Sequence, residues 1–128
     1  MPMDYRIDED RGVVFMRGWG RLINEDMVDC ITRLRVDDRL VPGMPTLSDL
    51  RDVTEMGIDI EGIFATDKVM AESRETRGPA RIAIVVKNQP DAIMARLFDA
   101  STQGDNPGLE IKPFETVEDA EAWLGLRP

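Results

Sequence analysis

The chain has 128 residues, 42% hydrophobic and 32% charged, which suits a single domain spanning 1–128 with its own core. A net charge of −9 repels phosphate backbones and anionic lipid surfaces, so no nucleic-acid partner is expected. With no histidine and one cysteine, Cys30, the sequence offers no His-based triad, no His general base, no internal disulfide and no Cys zinc site.

Tyr5-Arg6-Ile7-Asp8 alternates, Glu9-Asp10-Arg11-Gly12 reads as a turn, and Val13 to Trp19 reads as a second strand. Together they predict an opening β-hairpin. Gly18-Trp19-Gly20 leads to Asn24, a good N-cap, with Glu25 and Asp26 where the helix dipole favours acids. Ile23 and Val28 are spaced for a hydrophobic staple. Met27, Cys30, Ile31 and Leu34 recur at helical spacing, so Cys30 reads as a small core residue and not a nucleophile.

Val41 to Pro45 is a loop and Thr46 to Arg51 a third strand. A loop through Thr54-Glu55-Met56-Gly57 ends at Asp59, which caps a second helix running to about Thr76. Ile60, Ile63, Phe64, Met70 and Ala71 form its apolar face. Asp67 falls on that face, and a buried ionised carboxylate is costly, so either the face ends there or Asp67 has a partner such as Arg74.

Ala80-Arg81-Ile82-Ala83-Ile84-Val85-Val86 is the one long apolar, β-branched run, and it predicts a central strand covered on both faces. Asn88-Gln89-Pro90 opens a third helix, with Ile93, Leu97 and Ala100 as one stripe and Met94 and Phe98 as a second. Gly104 to Gly108 is a turn-rich loop, and Leu109 to Phe114 is a last strand that Pro113 confines to an edge. Thr116-Val117-Glu118-Asp119 caps a closing helix whose stripe is Val117, Ala120, Trp123 and Leu124. The order β-β-α-β-α-β-α-β-α predicts an α/β fold, an open mixed sheet of about five strands with four helices.

Two chemical motifs have bland counterparts. Gly18-Trp19-Gly20-Arg21-Leu22-Ile23 stands where a dinucleotide fingerprint would, but its third glycine is Ile23 and its strand belongs to a hairpin. Asp49 and Asp52 could hold Mg²⁺ or accept phosphate, yet Arg51 beside them points to a salt-bridged segment. No metal site and no cofactor are expected, and the absence of an activated nucleophile argues against an enzyme.

The chain resembles the STAS-type, SpoIIAA-like domains, which are also compared with the CRAL-TRIO lipid carriers. The resemblance is carried by Gly20-Arg21-Leu22-Ile23-Asn24-Glu25-Asp26, Leu47-Ser48-Asp49-Leu50-Arg51, the apolar run from Ala80, Ala95-Arg96-Leu97-Phe98-Asp99, and the ending from Phe114 to Leu124. It implies a non-enzymatic regulatory module that binds a protein partner, or else a carrier of a small hydrophobic ligand. In the anti-sigma-factor antagonists of this family a D-S-S-G motif opens the second helix, and its serine is phosphorylated. The matching residues here are Asp59-Ile60-Glu61-Gly62, so Ile60 and Glu61 replace the serines and no phosphorylation is expected at that position.

The interaction surface is expected on the segment from the third strand to the second helix, with Asp52, Thr54, Asp59, Glu61 and Gly62. Thr54 and Thr66 are the nearest hydroxyls to the altered motif. Phe64, Met94 and Phe98 are the candidates for a hydrophobic face or pocket. No basic, apolar leader and no bilayer-length apolar run is present, so the expectation is a cytoplasmic protein without membrane insertion, with a homodimer left open.

Overall fold

The computed structural model of the chain describes residues 2–72 and 77–126. In order these form β1 (Met3–Asp8), β2 (Val13–Ile23), α1 (Asn24–Arg35), β3 (Thr46–Gly57), α2 (Ile60–Glu72), β4 (Ala80–Val85), α3 (Gln89–Asp105), β5 (Leu109–Phe114) and α4 (Val117–Leu124). The five strands make one sheet in chain order, β1-β2-β3-β4-β5. β1 is antiparallel to β2 and the remaining pairs are parallel, which is the mixed α/β sheet the element order predicts.

A parallel neighbour requires a crossover, and crossovers of one hand put their helices on one face. Met27, Cys30 and Leu34 of α1, Ile63 and Met70 of α2, and Ala95 and Phe98 of α3 accordingly share one buried cluster. The other face carries a smaller cluster of Leu47, Ala83, Val85 and Ala120, closed by α4. β4 is therefore covered on both sides at Ala83, Ile84 and Val85, which are all buried. The centre of the sheet, however, is β3, and β4 stands one place from the edge strand β5.

The strands are longer than the sequence pattern suggests. β2 continues through Ile23 and β3 through Gly57, paired from Trp19↔Asp52 to Ile23↔Gly57, so the expected loop at Thr54–Gly57 is strand. Gly20 sits at a register shift with φ +62, a bulge conformation that needs glycine. The supposed dinucleotide turn is thus the inside of a strand. Since β2 ends at Ile23, that residue and not Asn24 occupies the cap of α1, and Asp26 accepts from the Ile23 N–H at 2.9 Å. The residues flanking this cap at staple spacing become Leu22 and Met27, both in the larger cluster.

Two helices leave part of the expected apolar face outside. In α3 the buried residues are Asp91, Ala92, Ala95, Phe98 and Thr102, while Ile93 and Leu97 stay outside. In α2 the buried residues include Ile63, Thr66, Asp67 and Met70, while Ile60 and Phe64 are exposed. α3 also runs through Gly104 to Asp105, beyond the loop start expected from its composition. Arg74 and the expected helix end at Thr76 lie outside the described residues. Asp67 finds its partners across the helix pair: the hydroxyls of Ser101 and Thr102 donate to its two carboxylate oxygens. Burial holds its carboxyl above the ordinary carboxylate value, against the pull of those two bonds. Among the described residues no helix is long and apolar enough to cross a membrane.

Candidate functional site

The start of α2 is a latch between two helix N-termini. Asp59 caps α2 with its Oδ1, which accepts from the N–H groups of Glu61 at 3.0 Å and Gly62 at 3.2 Å. The Asn24 amide of α1 closes the other side: its Nδ2 donates to Asp59 Oδ1 at 2.9 Å and its Oδ1 accepts from the Asp59 N–H at 3.1 Å. These bonds, Asn24 first, hold the Asp59 carboxyl below the ordinary carboxylate range. Asn24 lies so close to Gly62 that a Cβ there would meet Asn24 Oδ1 at 1.9 Å. The two matching residues of the D-x-x-G pattern are thus the two that the packing needs. Ile60 and Glu61, the departures from it, point to solvent, where no contact dictates a hydroxyl.

The other half of the expected surface is elsewhere. Asp52 and Thr54 lie on β3, not in a loop, and Asp52 precedes Gly57 by about 16 Å of strand at ~3.3 Å per residue. Asp52 pairs with Arg17 at 2.9 Å, and Asp49 is gripped by Arg51 through two bonds of 2.9 and 2.8 Å. The Arg51 guanidinium holds the Asp49 carboxyl below its usual range, which fits the salt-bridged alternative. Asp59, Glu61 and Gly62 are brought together; Asp52 and Thr54 are not part of that group. Of the two nearby hydroxyls, Thr54 is exposed, while Thr66 is fully buried and out of a kinase's reach.

Beside the latch lies an apolar surface. Ile60 (48%), Phe64 (56%), Ile93 (54%) and Leu97 (52%) are about half exposed, large and unpaired with the core. Both helices return from parallel strands and run side by side, tied at Asp67 to Ser101 and Thr102. Counting back along both helices from that tie puts Ile60 and Phe64 level with Ile93 and Leu97. Phe64 therefore belongs to an outer face, whereas Phe98 is buried and Met94 partly so, both turned toward the interior.

That interior holds a cavity of about 60 Å³ between the sheet and α1, α2 and α3. Met16, Met27, Leu50, Ile84, Met94 and Phe98 are among its walls. Polar groups also reach it: Thr66 and Arg35, whose buried hydroxyl and Nε have no partner among the described residues, and Arg77. Arg77 is 6% exposed, and burial pushes its guanidinium down to about 10, still charged at neutral pH. It donates to the Met44 carbonyl and the Thr46 hydroxyl, neither of them anionic. The sequence does not mark Arg77 at all, and it does not show the roles that Thr66 and Asn24 take here. Nothing local marks them, because each is defined by contacts with segments over thirty residues away in the chain or by their absence.

No protein-family model matches the sequence, and neither does any curated protein. Among solved structures the chain is similar to an uncharacterized protein of the DUF3478 family from Shewanella loihica, described as having a SpoIIAA-like fold. The TM-score is 0.61 over 95% of this chain and 91% of the other, at 20% identity. The chain thus has the SpoIIAA-like fold that its sequence resemblance implies.

Proposed function

We propose that the protein is a non-enzymatic regulatory module that binds a protein partner through α2 and α3, without a serine switch. The observation that carries this reading is the set of half-exposed Ile60, Phe64, Ile93 and Leu97 beside a helix start with the fixed charge of Glu61. Large apolar side chains grouped on a surface mark interaction sites. A phosphate would add roughly −2 charge there; Glu61 places a carboxylate there without any modification. The test is to place a photo-crosslinking residue at Phe64, or at Trp19 on the sheet as control, in the source cells, and to map phosphosites on the same samples. One protein crosslinked from position 64 and not from 19, with Thr54 unmodified, is the expected result. Stoichiometric phosphate on Thr54 that changes the crosslink would restore a displaced switch and overturn the constitutive reading.

The cavity favours a second reading, a carrier or sensor of a small hydrophobic ligand. Its walls are mostly apolar, but about 60 Å³ is well under the roughly 300 Å³ of a drug-sized site. Native mass spectrometry of the purified protein separates the two, since a retained small molecule supports the second and also reports oligomeric state.

A further inference from the structure

We propose that the cavity, together with the open pocket beyond Arg77, is a site for a short aliphatic carboxylate, with the carboxylate on Arg77 and the chain among the methionines. The proposal rests on the hydrophobic-ligand reading and specifies its chemistry.

Arg77 and Met70 line both the enclosed cavity of about 60 Å³ and a neighbouring pocket of about 290 Å³ that includes Gly78, Pro79, Asn106 and Leu109. They form the wall between the two. A buried guanidinium normally faces a carboxylate, because an uncompensated charge in the interior is costly. Among the described residues no acid pairs with Arg77; its bonds go to a carbonyl and a hydroxyl. A guanidinium carries five donors in a fork that matches a carboxylate.

The charged groups of the lining stand at one end. Arg35 ends α1, Thr46 begins β3 and Met70 lies near the end of α2, so these stand near the N-terminal end of the parallel strands, with Thr66 at the middle of α2 and Ser48 two residues further along β3. The opposite end is Met27, Leu50 and Ile58. Among the described residues the Thr66 hydroxyl and the Arg35 Nε, both in the lining of the cavity, have no partner. Such a cavity is amphipathic: an anion fits at Arg77, and only an apolar chain fits beyond it. The small enclosed volume keeps that chain to a few carbons.

The experiment is a titration of the folded, purified protein followed by the methyl NMR signals of its methionines, with hexanoate, hexanol and acetate as probes. Hexanoate is expected to shift the cavity methionines and to bind roughly tenfold or more tighter than hexanol, the usual gain of a charge-assisted pair. It is also expected to beat acetate by on the order of tenfold or more, since acetate lacks the buried methylenes. Arg77→Gln should abolish the preference for hexanoate over hexanol. If that variant does not fold, Arg77→Lys and Thr66→Val should each reduce the preference, the second without loss of stability because it removes an unpaired buried hydroxyl. Equal binding of hexanoate and hexanol would overturn the carboxylate assignment and leave the hydrophobic-ligand reading standing. Acetate binding as tightly as hexanoate would overturn the role of the chain. No shift with hexanoate or hexanol would overturn both readings together.

Discussion

At the scale of single residues, the latch at Asn24, Asp59 and Gly62 gives the firmest expectation. A methyl group at Gly62 would collide with the Asn24 amide, so the helix propensity gained by Gly62→Ala is outweighed by overpacking. The variant should lose about 1–3 kcal/mol in chemical denaturation, and adding Asn24→Ala should recover part of that loss. Additive effects of the two changes would mean that the amide is not what excludes the methyl. Asp67 gives a second expectation, in pH. Its native carboxyl titrates above the ordinary value of 3.8, so just above that pH the folded state holds a proton that the unfolded chain has released. Folding is then weakened as pH rises through this window and stays weaker beyond it. Asp4, Asp49 and Asp59 have lowered values and act in the opposite direction, so the comparison must be with a variant. Asp67→Asn, which can still hydrogen-bond Ser101 and Thr102, should gain on the wild type in melting temperature from about pH 4 upward. A constant difference between pH 3 and 7 would show that Asp67 does not carry the burial cost assigned to it.

Elements show which patterns in the sequence could be read and which could not. The hairpin, the apolar run of β4, the Asn88 and Thr116 caps and the edge strand marked by Pro113 follow from local rules. The structure places each of them within a residue or two of its expected position, except that the hairpin's second strand runs on four residues past Trp19 to Ile23. The caps accept from Asp91 N–H at 2.9 Å and Asp119 N–H at 3.2 Å. The extension of β3 was not legible, because Thr54, Glu55 and Gly57 look like a loop until β2 is laid beside them. The inward faces of α2 and α3 are legible only in part, at Ile63, Asp67, Met70 and Phe98, for a related reason. Hydrophobic size points to Ile60, Phe64, Ile93 and Leu97, while the interior takes Ala92, Ala95, Thr66 and Asp67. A helix that buries Ile63 and Met70, or Phe98, and still leaves two more large apolar residues outside departs from the amphipathic rule, and that excess is itself the signal of a surface with work to do. For α4 the stripe is correct but shallow: Trp123 is only half-buried, its ring tilted against Phe114 at 5.5 Å with Arg81 5.0 Å from it. Trp123→Ala should therefore cost about 1–3 kcal/mol, less than the ~3–5 of a fully enclosed ring. A loss at or above the upper figure in urea denaturation would place the ring deeper than its exposure indicates.

For the whole molecule, the proposed partner face and the stabilising core are separable. Glu61 is exposed and its carboxylate gains only a modest helix-dipole benefit, so Glu61→Ala should change folding stability by under about 1 kcal/mol. The same change should weaken capture of the crosslinked partner several-fold, and an unaltered complex would detach Glu61 from the interface. The strand order has a different kind of consequence. Because β1 to β5 are neighbours in the order in which they are made, no strand waits for a distant stretch of chain. Each new parallel strand covers the open edge left by the one before, so the sheet can grow sideways as the chain leaves the ribosome. Growth of this kind needs a stop, since any uncovered strand invites another, including one from a neighbouring molecule. Pro113, in the fifth strand and opposite Ile84, has no N–H to offer a sixth strand, so the open edge is blunted at that point.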